Sequence, residues 1–307
     1  MVKFSEFEVN QTELVKELQE CKNLVFCSHD AGGAELLSSF IVANELTGKF
    51  LLSGPAIKIF YSKNLPIDEN QINTLKAETS ILFSSTGNTN FEYSSLSFAR
   101  QLGARVFVIL DHWVNYTERF ERKGEVVSPD LILVVDEFAF DIAKREFPMT
   151  EIVLATNYFL ENAKRDFFDF GETVIEYDYV FMCESRSKDS TNKLVSKSDN
   201  LQGIEYFFDY LNSIGENNSR ILVRPHPSDL DKDYMSIVPK SFPGVTISSK
   251  QSLLEVLRMS NVIVGCNSMA LVIADAVGKT VFTAIKDPAK YYLPIRSIRL
   301  LSEMKKK

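Results

Sequence analysis

The sequence predicts an α/β protein built from two doubly wound parallel-sheet domains that face each other across a cleft. Three observations lead there. Short apolar runs alternate with amphipathic stretches along the chain, as in successive β-α-β units. Within the apolar runs, polar and apolar positions do not alternate, which implies a parallel sheet covered on both faces. The alternation then restarts near residues 150–175 with a second set of similar size and no internal sequence repeat. The expected domains are 1–155 and 156–307, with a C-terminal tail that is helical in part and packs back on the first domain.

In the first half, residues 24–27 form a buried strand. Residues 34–46 follow as a helix, with Leu36, Leu37, Phe40 and Ile41 on one face. Strands are expected over 56–61, 81–83, 105–110 and 131–135, with helices over 91–102 and 137–147. A linker helix over 157–168 leads into the second half. There, strands are expected over 179–183, 221–223, 245–247, 262–264 and 280–284, and helices over 201–214, 252–258 and 270–277.

Composition narrows the function classes. With 45% hydrophobic and 24% charged residues, the chain fits a globular protein in water. A net charge of -7 argues against a general nucleic-acid binder. Lys305, Lys306 and Lys307 form a short basic run, which allows at most peripheral contact with an anionic membrane face. The opening Met1-Val2-Lys3-Phe4-Ser5-Glu6 lacks signal-peptide character, and no apolar run approaches the roughly 18 residues that span a bilayer. Cys21, Cys27, Cys183 and Cys266 contain no Cys-x-x-Cys pair and are expected to be reduced thiols in a cytoplasmic protein. Metal-ligand spacing is absent, so neither metal nor cofactor is expected.

The chain has only three histidines, and each falls where a predicted strand ends. In open α/β sheets, ligands bind at the carboxyl ends of strands. In the second half, Arg224 and His226 stand two residues apart, so both side chains leave one face of the strand. Pro225 and Pro227 stiffen the backbone around them. A guanidinium and an imidazole suit a phosphate oxygen. Downstream, Gly265-Cys266-Asn267-Ser268-Met269 is a strand-to-helix turn. Gly265 permits close backbone approach, Ser268 adds a hydroxyl, and the helix N-terminus favours an anion. Asn267 or Ser268 is equally a helix cap. Neither a P-loop nor a Gly-x-Gly-x-x-Gly fingerprint is present.

This pairing of a His-Pro motif with a serine-bearing turn resembles bacterial sialyltransferases, polysialyltransferases and capsule Kdo transferases. Those are GT-B-fold enzymes, with two facing Rossmann-like domains, that use CMP-activated sugars. The order of motifs is also similar to that of CDP-glycerol glycerophosphotransferases. The resemblance spans roughly residues 178–284. It implies that His226 and Ser268 contact the donor phosphate, with Arg224, Pro227, Gly265 and Asn267 beside them. It also implies that Arg186, in the loop after the first strand of this half, supplies a second cation; a solvated loop is the equal alternative. Where that family commonly carries Ser-Ser or Ser-Thr, this chain has Asn267-Ser268.

In the first half, His29-Asp30-Ala31-Gly32-Gly33 follows the first strand. The sialyltransferases place an acidic residue in a glycine-containing loop here as the base for the acceptor hydroxyl, which makes Asp30 the candidate. His29 competes as a base with an intrinsic pKa near neutrality. A third possibility is that Asp30 only caps its helix. Gly32, Gly33, Ser85, Thr86, Asn88, Asp111, His112 and Trp113 are candidate acceptor- or sugar-binding residues. Thr89 and Glu92 fit a capping box. Asp136 and Glu137 either line the same edge or simply begin a helix.

Together these features predict a glycosyltransferase moving an acidic sugar, of Kdo or nonulosonic type, from a CMP-activated donor to a glycan or glycolipid acceptor. A UDP-sugar transferase, hydrolase or epimerase on the same fold is the alternative. A binding protein without turnover is the third class.

Overall fold

The computed structural model describes residues 4–67, 75–86, 89–171, 173–184, 199–226 and 229–304. The basic run Lys305, Lys306 and Lys307 lies outside the described residues. The chain divides into two compact units, Met1–Glu161 and Asn162–Lys307.

The first unit opens with α1 (Phe4–Glu20), which the sequence reading missed. Leu14 and Leu18, one turn apart, bury against the core. Then follow β1 (Leu24–Ser28), α2 (Ala31–Ala43), β2 (Lys49–Leu52), α3 (Pro55–Ser62), β3 (Ile81–Ser85), α4 (Asn90–Gln101) and β4 (Arg105–Ile109). A two-stranded antiparallel hairpin, β5 (Glu121–Arg122) and β6 (Glu125–Val126), precedes β7 (Leu131–Val134). α5 (Glu137–Glu146) and β8 (Glu151–Leu154) complete the sheet. All six strands are parallel, in the order β2-β1-β3-β4-β7-β8.

One expectation fails here, and one strand is additional. Residues 56–61 form helix α3, not a strand: Pro55 supplies a pre-set φ at the first turn, and Ala56 and Phe60 bury one helical face. The strand is the preceding β2. The short β8, unrecognised in the sequence, ends the sheet after α5.

Alternate residues of each central strand serve opposite faces. Leu24, Phe26, Ile81, Phe83, Phe107 and Ile109 pack with α1, α2 and α3. Val25, Cys27, Leu82, Val106 and Val108 pack with Leu96 and Ala99 of α4 and with Ala139 and Ala143 of α5. Both faces are apolar, which is why the strands read as continuous apolar runs.

α6 (Tyr158–Phe168) carries the chain into the second unit. There follow β9 (Tyr177–Met182), α7 (Asp199–Ile214), β10 (Ile221–Arg224), β11 (Val245–Ile247), α8 (Leu253–Arg258), β12 (Ser260–Gly265), α9 (Met269–Ala276), β13 (Thr280–Thr283) and β14 (Arg299–Leu300). Again six strands are all parallel, in the order β11-β10-β9-β12-β13-β14. The described part of the tail belongs to this unit. β14 extends this unit's own sheet beside β13, and Leu301 and Met304 sink into this unit's core. The Tyr210 hydroxyl donates to the Met304 carbonyl. Helical structure in the described part of the tail is confined to 3-10 turns at Pro288–Lys290 and Leu301–Glu303.

Each sheet has one place where chain order reverses: between β1 and β3 in the first, between β9 and β12 in the second. The connections leave in opposite directions there, and in open α/β sheets ligands bind at the carboxyl ends of strands at such switch points. Among the described residues, no helix is long and apolar enough to cross a membrane.

Candidate functional site

The switch point of the first sheet lies beyond β1 and β3. His29 and Asp30 leave β1 directly, and the His29 Nδ1 is 2.7 Å from the Asp30 Oδ1. Asp30 stands at the N-cap position of α2, yet its side chain makes no capping bond. A carboxylate that faces the imidazole instead is not merely a cap. The other ring nitrogen looks toward Gly54, whose φ is +55°; a Cβ there would lie 2.7 Å from Nε2. Glycine there leaves room for the imidazole, with which any Cβ would collide.

Glu92 comes to the same place from the first turn of α4. One of its oxygens, Oε1, accepts from the backbone N–H of His29 at 2.9 Å and of Asp30 at 3.4 Å. The other, Oε2, accepts from the Thr89 hydroxyl at 2.5 Å. Thr89 caps α4 by accepting from the Phe91 N–H, but Glu92 does not return to close a capping box. It bridges to β1 instead, which the local spacing could not reveal. Ligand atoms of His29, Asp30 and Glu92 all lie within 4.8 Å of one another.

Several residues expected to bind a sugar are committed to the framework. Ser85 is fully buried, its hydroxyl 2.7 Å from that of Ser28. A Cβ on Gly33 would meet the Ser85 Cβ at 2.6 Å, and one on Gly32 would meet the Asp111 Oδ2 at 2.5 Å. These glycines admit the ends of β3 and β4 against α2. The Asp111 Oδ1 pairs with Arg119 at 2.7 Å, and the same guanidinium nitrogen donates to the Thr86 carbonyl at 2.8 Å. The Arg119 and Asp111 side chains are 8% and 17% exposed, so the pair is largely removed from water. Thr86 is buried with them. Asn88 lies outside the described residues.

His112 and Trp113 remain at the mouth of β4, both half-buried. The His112 Nδ1 accepts from the Trp113 N–H at 3.0 Å, which places the proton of the neutral ring on Nε2. Burial pushes the His112 pKa down and Arg119 adds to this, while Asp111 opposes. The Trp113 indole N–H donates to the Asp136 Oδ2 at 2.9 Å, and the Asp136 Oδ1 caps α5 through the Ala139 N–H. Burial raises the Asp136 pKa against those hydrogen bonds.

In the second unit the switch point lies beyond β9 and β12. Gly265 is glycine for packing: a Cβ would sit 2.9 Å from the Met182 carbonyl oxygen and 3.1 Å from the Leu271 Cδ2. Ser268 caps α9, accepting from the Ala270 N–H at 3.2 Å, and stays partly exposed. Asn267 corrects an expectation. Its Nδ2 donates to the Lys290 carbonyl at 3.0 Å and its Oδ1 accepts from the Tyr292 N–H at 3.1 Å, so the side chain ties the loop after β13. The Asn267 backbone N–H donates to the Glu184 carboxylate, which arrives from the end of β9.

Arg224 and His226 leave the adjacent strand β10. An Arg224 terminal nitrogen donates to the Gln251 carbonyl at 3.3 Å, while its Nε is buried with no partner among the described residues. Burial lowers the His226 pKa, with Asp229 opposing and Arg224 adding to the depression. Asp229 is held in turn by the Tyr234 hydroxyl at 2.7 Å and by a turn bond from its own N–H to the His226 carbonyl at 2.8 Å. Pro227 and Arg186 lie outside the described residues.

No family model matches the chain, and no curated protein matches it. Solved structures do share its fold. A UDP-GlcNAc 2-epimerase from Methanocaldococcus jannaschii is 13% identical, with 85% of this chain and 83% of that one covered at a TM-score of 0.54. The UDP-GlcNAc 2-epimerase from Neisseria meningitidis, bound to UDP-GlcNAc, gives 9% identity, 85% and 82% coverage, and a TM-score of 0.58. The Anabaena protein HepE, in complex with UDP, gives 9% identity, 85% and 80% coverage, and 0.52. At these identities the likeness establishes the fold: two parallel-sheet α/β units in series.

Proposed function

We propose that the chain is a nucleotide-sugar enzyme, with glycosyl transfer as its reaction. The observation that carries this is the second sheet's switch point, where the Ser268-capped start of α9 lies in the same sheet edge as the pair that leads out of β10, Arg224 and His226. A helix N-terminus, a hydroxyl, a guanidinium and an imidazole form a donor set for phosphate oxygens. In this role they stabilise the phosphate as it leaves the anomeric carbon with the bonding electrons.

In the first unit, His29 and Asp30 are the candidate acid–base group. His29, oriented through Nδ1 by Asp30, takes the acceptor hydroxyl proton at Nε2, the nitrogen that Asp30 does not engage. The acceptor oxygen then bonds to the anomeric carbon. His112 and Trp113 are the candidate acceptor contacts that keep partial exposure.

Two donor classes have support. The His226-Pro227 motif with Ser268 favours a CMP-activated acidic sugar. Structural neighbours bound to UDP or UDP-GlcNAc favour a UDP-sugar, and with it the second reading, epimerisation or hydrolysis. Calorimetric titration with CMP, CDP, UDP and GDP separates the donors. Product analysis with the preferred donor, with and without added glycan, separates the reactions. Donor consumed without acceptor means epimerase or hydrolase. His226→Ala is expected to weaken nucleotide affinity with folding intact. Unchanged affinity would remove His226 from the phosphate site, and no nucleotide binding at all would end the proposal.

A further inference from the structure

We infer that Glu92 is the positioning residue of the His29–Asp30 pair, holding the backbone of both residues so that the imidazole and carboxylate meet; this rests on the acid–base role proposed above. The two N–H groups belong to the segment where the chain leaves β1 and has not yet entered α2. Ordinarily such groups turn to water. Here both converge on one carboxylate oxygen, at 2.9 Å from His29 and 3.4 Å from Asp30.

Glu92 is only 2% exposed, deep for a carboxylate. Its hydrogen bonds come from neutral donors: one oxygen takes the two N–H groups and the other takes the Thr89 hydroxyl. Charge-assisted hydrogen bonds of this kind are stronger than neutral ones, and they satisfy a charge that burial would otherwise penalise. The cost of burying a carboxylate is thus met by fixing one particular loop. A capping role needs none of this, because Thr89 already caps α4. The acid also sits across the switch point, since it follows β3 while the pair follows β1. It therefore fixes the pair relative to the neighbouring strand's connection.

The His29 Nδ1 faces Asp30, the ring's other edge faces Gly54, and Phe91 lies 6.1 Å away between ring centroids. A loop released from Glu92 would let the pair separate.

The test uses the uniformly isotope-labelled full chain, in which NMR follows the rings of its three histidines and the backbone amides of His29 and Asp30. In Glu92→Ala, the His29 ring signals and the His29 and Asp30 amides are expected to shift and broaden, while His112 and His226 keep theirs. Glu92→Gln, which retains an acceptor oxygen, is expected to restore the ring signals. Where turnover is measured, Glu92→Ala should lower kcat by about 100-fold, the scale of an ångström misplacement, with nucleotide affinity unchanged. His29 signals identical in Glu92→Ala and the parent would overturn the inference. Should Glu92→Ala fail to fold, Glu92→Gln decides: a neutral acceptor should move the His29 amide proton upfield and speed its exchange, and no change would overturn it. The NMR readout needs no substrate. Loss of turnover in Asp30→Asn, or absence of turnover in the parent, bears on the proposed function alone.

Discussion

The backbone N–H of Asn267, at the start of α9, donates to the carboxylate of Glu184 from the end of β9. A negative group from this chain thus stands where the proposed donor phosphate would be received. A helix N-terminus favours one anion, and a carboxylate and a phosphate compete for the same partial positive charge.

Removing that carboxylate should favour the ligand. Glu184→Ala is expected to tighten CMP or UDP binding by about fivefold, the factor given by roughly 1 kcal/mol of charge interaction at a helix terminus. Isothermal titration of the variant beside the parent measures it. Weaker binding in Glu184→Ala would show that the carboxylate organises the turn for the ligand.

His226 gives a pH signature. Burial holds its pKa below the ordinary 6.5, so the free protein carries a neutral ring at pH 7. A phosphate arriving beside it favours the charged ring and raises that pKa. Nucleotide binding at pH 7 is therefore expected to take up protons, visible as a binding enthalpy that changes with the buffer's ionisation enthalpy. His226→Gln should abolish the uptake.

The same depression, shared by His112, sets a stability trend. Between the folded pKa and 6.5 the unfolded chain binds more protons than the folded one, so unfolding free energy rises with pH through that window. The contribution is full above 6.5 and is lost as the pH falls. Urea unfolding at about pH 5.5, 6.5 and 7.5 should show it, and the double variant His112→Gln with His226→Gln should flatten the curve.

These histidines were legible in the sequence because a strand end is a local event: an apolar run stops and a polar residue follows. Five of the second unit's six strands and the turn at Gly265 came from the same kind of local pattern, while the two-residue β14 carried no such signal. Partnerships across the sheet were not legible. Glu92 reads as a capping-box residue because Thr89 lies three positions before it, and the backbone N–H groups it also accepts from are more than sixty residues away. Arg119, unmarked in the sequence, fixes the Asp111 and Thr86 that looked like sugar ligands. Residues 56–61 were misread because Ile57, Ile59, Phe60 and Tyr61 favour strands, while Pro55 and the spacing of Ala56 and Phe60 decide for a helix.

Gly32 and Gly33 make a steric prediction. A methyl group on Gly33 has no room beside Ser85, and one on Gly32 collides with Asp111. Gly33→Ala is expected to destabilise the protein by about 1–3 kcal/mol, the usual scale of overpacking. Gly171→Ala, with nothing within 4 Å, is the control and should be nearly neutral. Denaturant unfolding compares them. Equal stability of Gly33→Ala and the parent would return Gly33 to the list of ligand-binding residues.

The Arg119–Asp111 pair carries a stability prediction of its own. Both side chains are largely buried, and one guanidinium nitrogen serves the Asp111 carboxylate and the Thr86 carbonyl together. Breaking such a pair leaves an uncompensated charge inside the protein, which costs roughly 3–5 kcal/mol. Arg119→Met and Asp111→Leu are each expected to fall in that range. The double variant removes both charges, so it should cost clearly less than the two single variants added together. Unfolding midpoints of the four proteins close the cycle. Were Asp111 a sugar ligand rather than a partner of Arg119, Asp111→Leu would leave stability intact, and the two substitutions would simply add.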